Sequence, residues 1–150
     1  MKFTAEAYHE ASLEHVDSAR ELLNQNRFAL ANYTAGVAVE CILRAYAFRY
    51  DKSFDCRHDL RAWYDAAKFD SIVPSTQREA IAAAQGIIYT HWSNSQRYCS
   101  IKFLRAYFKL AGLDRGIRGD FVKELTRRTV DAAFELITLG DQQWKRSSKK

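Results

Sequence analysis

Residues 28–48, "FALANYTAGVAVECILRAYAF", decide the fold. The run is apolar on nearly every face, which is the mark of a helix surrounded by other helices at the centre of a bundle. With its flanks it predicts one helix over residues 27–50. Gly36 costs roughly 1 kcal/mol of helix propensity against alanine, so its place there points to close approach of a neighbouring backbone. Glu40 and Arg44 are the exceptions on this rod. Their i,i+4 order, acid first, is the favourable one for a pair along a helix.

Outward from this rod the chain reads as more helices. Residues 4–25 carry Tyr8, Ala11, His15, Ala19 and Leu22 at helical spacing, with Thr4 as N-cap and Asn24 and Asn26 marking the end. On the other side, "DKSFDCRHD" is a polar connection, and Asp59 is placed to cap a short helix from Leu60 to about Phe69. Pro74 stops any continuation. Thr76 and Glu79 fit a capping box for a helix over 76–90. "SIKFLRAYFKLAG" predicts a further helix with Phe103, Leu104, Tyr107 and Ala111 inward and Gly112 as its end. After the glycine-bearing loop "DRGIRG", a last helix is expected over 120–139. It carries Phe121, Leu125, Val130, Ala133, Phe134 and Ile137, and Gly140 is its stop. No internal repeat and no strand can be drawn. The predicted architecture is an all-α antiparallel bundle of five to six helices in one domain over 1–142, followed by a frayed basic tail over 143–150.

Composition agrees. The 150 residues are 47% hydrophobic, with one proline and six glycines, too few breakers for a sandwich or barrel of many tight turns. No apolar run approaches the ~18 residues of a membrane span, and the polar, periodic start "MKFTAEAYHEASLEH" is unlike a secretory signal. Cys41, Cys56 and Cys99 share no zinc spacing, which predicts reduced thiols in a cytoplasmic protein. His9 and His15 lie off the i,i+4 spacing that two histidines sharing a metal would need, so no metal site and no cofactor are expected. The net charge of +5 permits a polyanionic partner without demanding one.

Three stretches together carry a resemblance. "AGVAVECILRAYA" (Ala35–Ala47) has small residues, then Glu40, then Leu43, Arg44 and Ala45. "RHDLRAW" places His58 two residues before Leu60. "SNSQRY" ends on Arg97 and Tyr98. In this order they resemble the HEPN superfamily: its signature helix, the His-x-Leu opening of its third helix, and the Arg-Tyr after its fourth. The resemblance spans roughly residues 5 to 99. It implies an antiparallel helical bundle, often a homodimer, with a role near RNA, nucleotides or a partner nucleotidyltransferase. Many members are metal-independent ribonucleases marked by an arginine followed, after four to six residues, by a histidine. This chain departs from that mark. His9 and His15 have no arginine before them, and His58 has Arg57 adjacent, Arg49 too far back and only Lys52 at a permissible spacing. His91 has no basic residue between Arg78 and itself.

The candidate residues follow. A histidine such as His58 can move a proton to or from a ribose hydroxyl, while an arginine fork from Arg57, Arg97 or Arg61 holds the phosphate. The commoner role of such a histidine is a backbone bond that fixes the turn. Arg97 and Tyr98 suit phosphate contact with base stacking, or Arg97 pairs with Glu40, since a buried carboxylate requires a partner. Arg44 is the local rival for that pairing. His91 and Trp92 are expected in core or interface. Lys109, Arg115, Arg118, Lys123 and "TRRT" (126–129) make a basic, solvated face. The leading expectation is a non-catalytic binding or regulatory module with Arg57, His58, Arg97 and Tyr98 at an RNA or nucleotide site, and Glu40 and Arg44 as a structural polar network. An altered ribonuclease built on His58 and an arginine is the first alternative, and a plain helical interaction domain the second.

Overall fold

The computed structural model describes residues 1–149. Six α-helices follow in order: α1 (Ala5–Asn24), α2 (Phe28–Tyr50), α3 (Leu60–Ala66), α4 (Arg78–His91), α5 (Ile101–Leu110) and α6 (Phe121–Ser148). Among the described residues there is no strand, and the chain is an all-α helical bundle. α2 lies at its centre against α1, α3 and α6, while α6 also packs on α1 and α4.

Local chemistry starts and stops most of these helices. The Thr4 hydroxyl accepts from Ala7 N–H at 3.1 Å, and the Asp59 and Asp120 carboxylates accept from Ala62 and Lys123 N–H at 3.1 Å each. Asn26 sits in the left-handed region at φ 58°, and α1 closes through Asn26 N–H to Leu23 O and Arg27 N–H to Leu22 O. Gly112, at φ +70°, ends α5 with the same pair of bonds, to Lys109 O and Phe108 O.

Four expectations need correction. α4 begins after a 3₁₀ turn (Ser75–Gln77) with no side-chain cap, so Thr76 and Glu79 form no capping box. α3 ends at Ala66, and a separate turn (Phe69–Ile72) delivers Phe69 to the core. α5 buries Leu104 and Phe108 on Val122 and Leu125, leaving Phe103 65% exposed and Ala111 outside. Phe134 is likewise partly exposed, under the Arg20 guanidinium at 4.2 Å.

The largest difference concerns α6. It does not stop at Gly140 but continues to Ser148, so residues 143–148 are helical rather than a frayed tail; Lys150 lies outside the described residues. Gly140 serves packing instead. A Cβ there would stand 2.7 Å from Ile42 Cγ1, and the Gly140 carbonyl accepts the Tyr46 hydroxyl at 2.7 Å. Trp144 then anchors the last turns, buried edge-on to Tyr46, stacked on His9 and covered by the Arg49 guanidinium at 3.3 Å.

Candidate functional site

Glu40 is only 7% exposed, on the face of α2 that meets the loop after it. Its carboxylate accepts Arg44 Nε at 2.8 Å from one turn along, and His58 Nδ1 at 3.0 and 3.1 Å on its two oxygens. A carboxylate only accepts, so His58 Nδ1 carries a proton here. Arg44 has further contacts besides Glu40. Its guanidinium lies 4.3 Å from the Trp63 ring centroid, and Nη2 also donates to the Arg57 carbonyl at 2.6 Å. Burial acts to lower the Arg44 pKa, but the adjacent carboxylate outweighs it and keeps the guanidinium firmly charged.

The loop is shaped to deliver His58. Arg57 takes a left-handed φ of 57°, its N–H bonds to Asp55 Oδ1 at 2.8 Å, and its carbonyl accepts Trp63 Nε1 at 2.8 Å. The Arg57 backbone is thus structural, while its side chain is exposed. His58 holds a carboxylate rather than the backbone partner expected of it. Its side chain is 45% exposed, and among the described residues its Nε2 makes no hydrogen bond.

His58 borders a cleft of about 310 Å³ between the start of α3 and the end of α4. Arg61, Tyr89, Trp92, Ser93 and Asn94 line it too, with Leu60 and with Asp59, whose carboxylate is the cap of α3. The Arg61 guanidinium stands over the Tyr89 ring at 4.3 Å. A guanidinium, a hydroxyl, an amide and an imidazole that donates from Nε2 once that nitrogen is protonated are groups that can hold a phosphate, and the flat rings suit a planar base.

The stretch "YTHWSNSQRYC" (89–99) has two distinct sides. Its inward side is a closed polar joint. Asn32 Nδ2 donates to the His91 carbonyl at 3.1 Å and to Gln96 Oε1 at 2.8 Å, and Gln96 Nε2 donates to the same carbonyl at 2.9 Å. Trp92 Nε1 donates to the Tyr33 carbonyl at 3.0 Å. Its outward side presents Arg97 and Tyr98, both exposed, with the guanidinium 4.7 Å from the Tyr98 centroid. Arg97 therefore does not bond Glu40. Arg44 and His58 take the role at Glu40 expected of Arg97, and Arg97 lines a different cleft with Arg27, Leu30, Tyr33 and Ile101. Glu40, Arg44, Arg57 and His58 are brought together; Arg97 and Tyr98 belong to another surface. Asn94 and Gln96 were visible as members of a polar stretch that could close a network. Asn32, the partner of Gln96 on α2, escaped the sequence reading, because a single amide in an apolar helix carries no spacing signal.

His91 closes this joint on α6. The Thr129 hydroxyl gives its one proton to the Leu125 carbonyl at 2.9 Å, so His91 Nδ1–H donates to Thr129 Oγ1 at 3.0 Å. Burial, helped by Arg128 and opposed by a backbone bond, holds the His91 pKa below the usual histidine value. An unfolded histidine takes up its proton near about pH 6.5. Between that pH and the lower folded value the unfolded state binds more protons, so stability falls as pH drops through this window. Urea unfolding at about pH 7.5 and about pH 5.5 should show His91→Gln losing less stability on acidification than wild type. Equal losses in the two proteins would disprove this role.

Other candidates recede. Arg127 and Arg128 of "TRRT" are tied to Glu124 and Asp131 at 2.6–3.1 Å, which neutralises that face of α6, and Thr126 and Thr129 are buried. All three thiols are free, but burial pushes Cys41 up to about 12 and Cys56 to about 11, far from thiolate chemistry at neutral pH. Among the described residues no three His, Cys, Asp or Glu side chains gather as a metal site, and no helix is long and apolar enough to cross a membrane. Fold and site together define an all-α helical bundle with a carboxylate-held histidine at a polar cleft. No family model, curated protein or solved structure matches the chain.

Proposed function

We propose that this chain is a HEPN-like binding and regulatory module of the cytoplasm. It holds RNA or a nucleotide by its phosphate at the His58–Arg61 cleft without cleaving it, and works as a homodimer beside a partner nucleotidyltransferase. The observation that carries this reading is the His58 ring, fixed at Nδ1 by Glu40 with Nε2 unbonded, at a cleft shared with Arg61, Tyr89 and Trp92. The arginine–histidine spacing of the ribonucleases is missing. The one guanidinium bonded to this group, that of Arg44, is already engaged by Glu40 and the Arg57 carbonyl.

One observation favours a second reading. A carboxylate behind an imidazole is the arrangement that orients a general base. His58 Nε2 would take the proton of a ribose 2′-hydroxyl as that oxygen attacks the adjacent phosphorus. The P–O5′ bond would break to leave a 2′,3′-cyclic phosphate, and the departing O5′ would take a proton from water or from the His58 imidazolium just formed. Arg61 would meet the charge that builds on the phosphate.

Labelled single-stranded RNA with EDTA present separates the two. A binder retains the RNA intact, and its affinity falls steeply with salt. His58→Ala and Arg61→Ala should each weaken binding about tenfold or more, the usual loss of a charge-assisted hydrogen bond, at unchanged melting temperature. RNA that neither binds nor is cut rejects both readings. Cleavage that disappears in His58→Ala with the fold intact establishes the ribonuclease.

A further inference from the structure

From Ala80 to Leu113 the chain contains no acidic residue, although it carries Arg97, Lys102, Arg105 and Lys109. Three of these cations share one face of α5. Lys102, Arg105 and Lys109 fall at i, i+3 and i+7, within a narrow arc of the helical wheel. All three are exposed, and among the described residues none of them makes an ion pair. Unneutralised charge in such a row contrasts with α6, whose Arg127 and Arg128 are paired along their own helix.

Two exposed rings flank this row, Tyr98 before the start of α5 and Phe103 about 100° round the helix from Lys102. Phe103 is 65% exposed and Tyr98 78% exposed, large values for rings that could have been buried. Arg97 lies against the Tyr98 ring, and Arg105 stands 5.2 Å from the Phe121 centroid. Phe121 is partly covered by Lys109 as well, at 5.8 Å. The outer face of a helix is convex, and these rings project singly. That is unlike the packed sockets in which protein partners anchor. Cations in a line with separate exposed rings match a chain of regularly spaced phosphates carrying flat bases.

We infer that the outer face of α5, with Tyr98 at its approach, binds single-stranded nucleic acid through phosphate contacts to Lys102, Arg105 and Lys109 and base stacking on Tyr98 and Phe103. This surface shares no residue with the His58–Arg61 cleft and does not rest on the function proposed for that cleft.

The test uses the full chain and fluorescence anisotropy with a labelled oligouridylate of roughly 20 nucleotides, long enough to span a single-strand site of about 4–16. It is run in the wild type and in a His58→Ala/Arg61→Ala background, so that loss of the cleft and loss of α5 are read separately. In both, Lys102→Ala/Arg105→Ala/Lys109→Ala should flatten the salt dependence of log affinity by about 2, three contacts at about 0.7 each. Tyr98→Ala and Phe103→Ala should each weaken binding about tenfold with the salt slope unchanged. Melting temperatures should hold, since these side chains are exposed. An unaltered salt slope in the triple variant overturns the inference, as does failure of the wild type to bind. Competition by polyphosphate or polyglutamate as strong as by unlabelled oligouridylate also overturns it, by showing a surface that reads charge and not bases.

Discussion

Gly36→Ala should destabilise the protein by about 3 kcal/mol or more, the upper end of what overpacking costs in a closed core. A Cβ built on Gly36 would lie 2.1 Å from Cδ1 and Nε1 of the Trp92 indole, deep inside contact distance. The indole has little freedom to retreat. It is buried, it stacks on Tyr33 with centroids 6.3 Å apart, and its Nε1 donates to the Tyr33 carbonyl. Any displacement also strains the His91 carbonyl next to it, on which Asn32 and Gln96 converge. For a chain of this length the loss corresponds to a fall of roughly 10 °C in melting temperature. Gly86→Ala is the matched control. Gly86 is exposed on α4 with nothing within 4 Å of its would-be Cβ, so alanine there should gain about 0.5–1 kcal/mol from helix propensity. The two substitutions are chemically identical and should move the melting temperature in opposite directions. A Gly36→Ala protein melting with the wild type would mean the α2–Trp92 contact is not as close as described.

The contrast between Gly36 and Gly140 shows where sequence reasoning holds and where it fails. Both are helical glycines pressed against a neighbour, Trp92 in one case and Ile42 in the other. Gly36 lies inside an apolar run, so its propensity cost pointed to a close approach, but of a neighbouring backbone, where the structure places the Trp92 side chain. Gly140 follows the last strongly periodic residues, where a glycine that ends a helix and one that admits a neighbour look alike. Trp144, four residues later, held the missing information, because a tryptophan that packs on Tyr46 keeps the last turns of α6 folded. Caps were legible for the opposite reason. Thr4 and Asp59, the two expected caps that form, bond to backbone three residues away, so no distant element has a vote. The inward face of α5 was not legible to that degree. "IKFLRAYF" offers aromatic residues on adjacent faces, and the position of Val122 and Leu125 decides for Phe108 over Phe103.

The site divides along the same line. The Glu40–Arg44 pair spans one helical turn and follows from spacing alone. The Glu40–His58 bond joins residues 18 apart through a loop whose path depends on the left-handed turn at Arg57, a conformation that arginine rarely signals. Within "NSQRY", neighbouring Gln96 and Arg97 face opposite ways out of one 3₁₀ turn. That Glu40 needs a partner was readable; that Gln96 turns inward to Asn32 while Arg97 turns out depends on where α2 places Asn32.

Glu40→Ala should cost about 3 kcal/mol or more, because it strands a mostly buried guanidinium that its other contacts hold in place. Arg44 is packed on Trp63 and tied to the Arg57 carbonyl, so its charge would remain inside with only that one acceptor. The damage should spread to the loop, since the same Arg57 carbonyl holds Trp63 Nε1 and sets the path of His58. The size of the effect therefore comes from the charge left behind and not from the net worth of the pair. A second substitution separates these two quantities. Replacing both partners, Glu40→Leu with Arg44→Met, removes the stranded charge and restores apolar packing, and exchanges of this kind are often neutral or stabilising. The double variant should recover most of the loss seen in Glu40→Ala, measured as the urea midpoint at constant slope. In the same protein His58 has lost its carboxylate, so phosphate binding at the cleft should fall although the fold is restored. A Glu40→Ala protein within about 0.5 kcal/mol of wild type, the range of ordinary surface changes, would show that the carboxylate is not the keystone of this loop. A double variant as unstable as the single one would place the cost in lost contacts of Glu40 itself.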